Sequence, residues 1–232
     1  MDVRYLLGFV MLAGAIPADL RNRRVPNTWW FPFIAMAALF AVGDLLSPSR
    51  DWRALAVAYG GAAAVAGLMW VFWWLRLFGG ADAKAIMVLA FLVPWPSPHA
   101  QAPLQPGLDT LANGTLLMVA VPVALLLWNL AHGNVRLPAM LLGRPLPIAR
   151  ARRAKVWPMQ VAGADGRVRW RLWQRASLDD LDAEFDALEK AGLDTVWVTA
   201  KVPLLVPLAA GVVLAWAVGD LPAWLAQIVA GR

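Results

Sequence analysis

No cysteine occurs in the 232 residues, which excludes disulfides, thiolate metal ligands and a cysteine nucleophile. Histidine is almost as scarce. The two present, His99 and His132, are far apart in the sequence and fall in a loop-like stretch and at the end of an apolar run, so a histidine metal site is not expected. Charge is thin as well: 16% of residues are charged, against about a quarter in soluble domains. No internal repeat or low-complexity tract breaks the chain. What remains is largely apolar, 60% of the residues, with a mean hydropathy of +0.58. Runs approaching the ~20 apolar residues that cross a bilayer recur along it. The composition is that of an integral membrane protein, with the lipid bilayer as its first partner.

The net charge of +6 raises the question of nucleic acid. In a membrane protein the simpler source is an excess of Lys and Arg in cytoplasmic loops, so no nucleic-acid role is expected. The predicted fold is an α-helical membrane protein of six transmembrane helices, drawn at about 5–20, 28–46, 54–78, 83–95, 110–131 and 202–219. A small cytoplasmic α+β insert precedes the last helix. This divides the chain into a membrane domain at 1–132, a soluble insert at 133–200, and a sixth span with a short external tail at 201–232. The N-terminus lacks the order of a cleavable signal, because its stronger basic cluster follows the apolar run. It reads as a retained first span whose N-terminus lies outside. On that topology the internal segments 19–28, 76–84 and 132–201 carry three, two and twelve Lys or Arg, and the external ones carry four. The long insert is discounted by the charge rule, but the cluster after the first span favours the same orientation.

Topology gives the two aspartates of interest a common address. Asp19 opens the stretch DLRNRRVPN at the end of span one, and Asp82 ends GGAD at the start of span four. Both fall at the cytoplasmic boundary. Carboxylates at membrane depth are costly and mark function by default. Two close carboxylates share a proton, so one serves as base on a water while the other polarises a carbonyl. Such chemistry requires no cofactor, metal or nucleophilic side chain. Taken singly, an aspartate beside arginines at a helix end is as often an interfacial charge, and Gly79-Gly80 as often a plain turn. As a pair on one face they point to an aspartic protease. Gly79 and Gly80 would allow close backbone approach there. Lys84 would either tune the pair or extend to the interface. Trp29, Trp30, Trp70, Trp73 and Trp74 suit an interfacial aromatic belt.

Asp19 followed by Val25-Pro26-Asn27, and then Gly79-Gly80-Ala81-Asp82-Ala83-Lys84, resembles the archaeal preflagellin peptidases, relatives of the type IV prepilin peptidases. The segment Trp197-Val198-Thr199-Ala200-Lys201-Val202-Pro203, entering the last span, carries the same resemblance. It implies a membrane aspartic endopeptidase that removes short basic leader peptides from archaellin or pilin-like precursors at the cytoplasmic face. Asp19 and Asp82 match the catalytic pair. Asn27, Gly79, Gly80, Ala81 and Lys84 fall where they would bind substrate or shape the site. Ala81 stands where the wider group, described by G-x-G-D, has glycine, and alanine resists a positive φ. With no cysteine and no room for the cysteine-bearing domain of bacterial relatives, the chain is expected to cleave and not to methylate. Two alternatives remain: a presenilin-like intramembrane protease, and a non-enzymatic transporter or scaffold. A transporter would show repeated halves, and none are seen.

Within the insert, 156–161 and 167–173 read as the arms of a hairpin about the turn 163–166, with Arg167, Arg169 and Arg171 alternating with apolar residues. A helix follows, capped by Ser177 with Asp180 three residues on. Its apolar stripe is Leu178, Leu181, Phe185 and Leu188, and Gly192 ends it. The other face, with Asp179, Asp180, Asp182, Glu184, Asp186 and Glu189, would attract a basic leader, or else be solvated or paired with Arg167, Arg169 and Arg171 across the insert, the latter being favoured.

Overall fold

A computed structural model describes residues 1–22, 24–101, 103–154, 156–163, 165–171, 181–200 and 204–231. In chain order the helices α1 (Val3–Asn22), α2 (Phe31–Leu46), α3 (Trp52–Trp74), α4 (Gly80–Leu92), α5 (Pro106–Met118) and α6 (Ala120–Ala131) come first, with a 3-10 turn at Asn27–Trp29. The middle of the chain holds α7 (Ala139–Leu142), β1 (Arg144–Pro147), α8 (Ile148–Arg153), β2 (Val156–Pro158), β3 (Gln160–Ala162), β4 (Val168–Trp170), α9 (Leu181–Lys190) and β5 (Thr195–Ala200). Two further helices, α10 (Leu205–Ala217) and α11 (Leu221–Val229), close the chain. Among the described residues, four stretches are long and apolar enough to cross a membrane: Val3–Arg21, Asn27–Leu46, Trp52–Trp74 and Pro106–Ala131.

Contacts divide the chain into two compact units. The first joins residues 1–118 to 203–232, and the second is 119–202. The break at residue 119 has a local cause. Pro122 has no N–H, and its ring crowds the carbonyl four residues back, at Met118, so the long apolar stretch is interrupted between α5 and α6.

In the first unit, α1, α4 and α10 supply the centre of the core through Tyr5, Leu12, Ile86, Leu89, Leu208 and Val212, all essentially buried. Helices α5 and α10 approach closely through Gly114 and Gly211. A Cβ built at Gly211 would lie 2.5 Å from the Thr110 carbonyl oxygen. Close contact through small residues is what holds helices together where the surroundings are as apolar as the side chains. Outward residues such as Leu39, Val57 and Trp74 remain exposed apolar groups, as a lipid-facing surface requires. The tail beyond α10 is helical as well. Gly219 turns the chain at φ 80°, and the Asp220 carboxylate caps α11 by accepting from the Ala223 N–H at 2.7 Å.

One end of this unit is tied by a buried carboxylate. Asp44, near the end of α2, receives both guanidinium nitrogens of Arg4 at 2.9 Å, the Tyr59 hydroxyl at 2.8 Å and the Trp95 indole N–H at 2.8 Å. Arg50 stacks over the Trp95 ring, 4.2 Å from its centroid. Parts of the chain from residue 4 to residue 95 thus converge on one side chain.

The second unit carries an antiparallel three-stranded sheet in the order β1-β5-β2 and a separate β3–β4 hairpin. The expected single hairpin arm at 156–161 is therefore split. Val156–Pro158 pairs with β5, and only Gln160–Ala162 pairs with Val168–Trp170. Met159 is the switch point: its N–H donates to the Trp197 carbonyl at 2.7 Å, while its own carbonyl accepts from the Arg171 N–H at 2.8 Å. Helix α9 packs Phe185 and Leu188 with Ile148, Val196 and Val198, and Gly192 ends it at φ 85° as expected. The expected cap at Ser177, with Leu178, Asp179 and Asp180, lies outside the described residues, as do Leu172, Trp173 and Lys201, Val202 and Pro203 of the late motif.

Candidate active site

Helix α1 presents Tyr5, Gly8, Leu12, Ala15 and Asp19 at alternating spacings of three and four, the stripe of a single helix face. The first four face the core, and Asp19 continues their line to the helix end, where it is 8% exposed. Helix α4 repeats the pattern from its other end, with Asp82, Ile86, Leu89 and Val93 at spacings of four, three and four. The two stripes meet. A Cβ at Gly8 would lie 2.5 Å from Leu89 Cδ1 and 3.8 Å from Val93 Cγ2, and the Tyr5 hydroxyl donates to the Trp95 carbonyl at 3.4 Å.

These contacts pair low numbers on α1 with high numbers on α4, so the helices run antiparallel. From Gly8 to Asp19 and from Val93 back to Asp82 are eleven residues each, ~16 Å along a helix in both cases. Asp19 and Asp82 thus sit at the same end of neighbouring helices, on the faces turned toward the core. That is the end opposite the Asp44 cluster.

The surroundings of Asp82 explain the glycines before it. Gly79 caps α4 in an extended conformation, φ −65° and ψ 147°, which any residue adopts. Its role is space: a Cβ there would lie 2.8 Å from Asp82 Oδ2. Gly80 is less confined, its nearest neighbour being Trp73 Nε1 at 3.4 Å. Ala81 lies inside the first turn of α4 and is not among the residues with positive φ, so no conformational penalty attaches to alanine there.

Lys84 and Asn27, 57 residues apart, are joined directly. The ammonium donates to Asn27 Oδ1 at 2.7 Å. Together they head an apolar groove of about 620 Å³ between α2, α3 and α4, walled by Trp30, Phe31, Ile34 and Ala37 among others. A second cavity of about 510 Å³ lies between the end of α1 and residues 25–29, with Arg21 on its wall. Two of the tryptophans assigned to an aromatic belt are placed otherwise. Trp30 is 2% exposed, and Trp29 lies on α1 with its indole N–H donating to the Met11 carbonyl at 3.1 Å. Trp70, Trp73 and Trp74 are exposed on α3. Nothing in the local pattern around Trp29 or Gly14 distinguished them in the sequence, because their partners lie 15 residues apart on different elements.

Among the described residues, Glu184, Asp186 and Glu189 of α9 are engaged within their own unit. Arg152 bonds Asp186 and Glu189, and Arg171 bonds Glu184 at 2.6 Å. The Asp186 carboxylate, with Glu189 beside it, holds the Arg152 guanidinium above its usual pKa. Of the three arginines expected to pair with that face, Arg171 does so, Arg169 pairs instead with Asp165 at 3.0 Å, and the remaining partner is Arg152 of α8.

The chain belongs to the type IV leader peptidase family, whose model matches residues 6–133, a stretch that takes in most of α1, all of α2 through α6, and both aspartates. It is a membrane peptidase by that membership and by its apolar helices. Among curated proteins it is similar to the preflagellin peptidase of Methanococcus voltae, 24% identical over 239 aligned residues covering 94% of this chain and 96% of the relative. It is also similar to the preflagellin peptidase of Methanococcus maripaludis (strain C6 / ATCC BAA-1332), 22% identical with the same two coverages.

Proposed function

We propose that this protein is a membrane aspartic endopeptidase that removes basic leader peptides from preflagellins or pilin-like precursors, using Asp19 and Asp82 as its catalytic pair. The observation that carries the reading is the convergence of two helix stripes, each apolar along its length and each ending in a carboxylate at the same end of an antiparallel pair. An apolar stripe that ends in a partly or wholly buried charge is expensive unless the charge has work to do. The names of the relatives support the leader-peptidase substrate class.

In this mechanism the pair shares one proton. The ionised carboxylate takes a proton from water as the oxygen attacks the scissile carbonyl. The protonated carboxyl hydrogen-bonds the carbonyl oxygen and donates its proton as the tetrahedral intermediate forms. Collapse passes a proton to the leaving amine and regenerates the pair. The polypeptide crosses the membrane six times, through α1, α2, α3, α4, the α5–α6 stretch and α10, with its N-terminus outside. The site then faces the cytoplasm, where basic loops and a basic leader would both lie. With 13 residues, α4 spans ~20 Å against a ~30 Å hydrocarbon core, which draws Asp82 toward the membrane interior.

The test is cleavage of a tagged archaellin-like precursor in membranes by the wild type, Asp19→Asn and Asp82→Asn. Loss of cleavage in each variant at normal insertion is expected. Normal cleavage by both would return the two residues to the status of interfacial charges and leave a scaffold or a different mechanism.

A further inference from the structure

The geometry points to residues 24–30 as a two-ended strap that sets the approach of Asp19 to Asp82, with Trp29 and Asn27 as its positioning residues and Gly14 as its seat. This rests on the aspartic reading above. At one end the Trp29 ring lies so close to α1 that a Cβ at Gly14 would be 2.5 and 2.7 Å from Cζ2 and Cη2, and its N–H is bonded to the Met11 carbonyl at 3.1 Å. At the other end Asn27 Oδ1 accepts from Lys84 of α4 at 2.7 Å. The two anchors are two residues apart in one 3-10 turn, followed directly by the buried Trp30.

The positions of the anchors matter. Gly14 precedes Asp19 by five residues, ~7 Å along α1, and Lys84 follows Asp82 by two. The Gly8–Leu89 contact, by contrast, is ~16 Å from Asp19. Close to the carboxylates, the strap is a bridge from α1 to α4 made of groups that touch neither reacting atoms nor each other's partners. The cavity of about 510 Å³ between residues 25–29 and α1 lies directly beside the Trp29 seat. A bridge of two links in series fails when either link is cut. Misplacement by ~1 Å costs a catalytic pair up to ~100-fold.

The experiment is a double-mutant cycle on cleavage of the tagged precursor in membranes, with Trp29→Leu, Asn27→Leu and the double variant, and with Asp19→Asn and Asp82→Asn alongside. The expected result is a fall in kcat of about tenfold or more for each single variant, KM unchanged within about twofold, and a double variant no worse than the worse single. Asn27→Asp, which keeps the acceptor, restores the rate. If Trp29→Leu does not insert, Gly14→Ala, which pushes the ring off its seat, takes its place in the cycle. Losses that multiply, losses confined to KM, or no loss at all overturn the strap. If the aspartate variants are dead while the losses multiply, only the strap falls. If the aspartate variants cleave normally, the aspartic reading falls and takes the strap with it.

Discussion

Replacing Asp44 by asparagine separates the stability of this fold from its chemistry. The carboxylate accepts four hydrogen bonds within 2.9 Å, two of them from one guanidinium, with side-chain exposures of 14% for Arg4 and 7% for Asp44. Asparagine keeps the shape and loses the charge. Arg4 is then left buried without a counterion, and the amide NH₂ is set against the donors that the carboxylate accepted. Removing one partner of a buried ion pair costs about 3–5 kcal/mol. Partial access of solvent to Arg4, and Arg50 nearby with its side chain 39% exposed, place this case at the low end, about 3 kcal/mol. The assay is reversible unfolding in mild detergent followed by tryptophan fluorescence, with precursor cleavage measured well below the transition. Arg4 and Asp19 are 15 residues apart on α1, ~22 Å, so the rate of cleavage should be within about twofold of wild type while the fold is intact. Combining Arg4→Met with Asp44→Asn leaves no buried charge and should recover part of the loss. An unchanged transition for Asp44→Asn would refute the energetic argument. A dead enzyme with an unchanged transition would refute the assignment of this cluster to structure.

The glycines give two further contrasts. Gly79→Ala should lower cleavage by about 10- to 100-fold with little change in stability, since the new methyl meets Asp82 Oδ2 at 2.8 Å. Gly80→Ala, with nothing nearer than 3.4 Å, should retain most of the rate in the same assay. Gly211→Ala should destabilise by about 2 kcal/mol or more in detergent unfolding, because its Cβ meets backbone at 2.5 Å on α5 and neither helix can yield cheaply. Gly67→Ala on α3 meets nothing within 4 Å and should be neutral or stabilising by up to about 1 kcal/mol.

Much of the helical framework was legible in one dimension. Apolar runs gave the helices because a backbone in lipid must satisfy its own hydrogen bonds, whatever its neighbours are. The end of α9 at Gly192 was legible for the same kind of reason, a local φ requirement. Errors arose where a partner decided the outcome. The segment 156–161 reads as one strand, yet Pro158 and Met159 divide it between two partners. Trp29 and Trp30 have the composition of an aromatic belt, but one lies on α1 and the other is buried.

The sequence by itself determined that this is a membrane protein, and the limits of its apolar runs placed Asp19 and Asp82 near the ends of helices. It also held the spacing by which each aspartate continues an apolar stripe, because a helix face depends only on the 3.6-residue period. Which stripe meets which was decided in three dimensions. In a medium as apolar as the side chains, periodicity does not choose helix partners. Close approaches such as Gly8 to Leu89 and Gly14 to Trp29, and polar links such as Lys84 to Asn27, make that choice. They join residues up to 81 positions apart, and no local pattern encodes them.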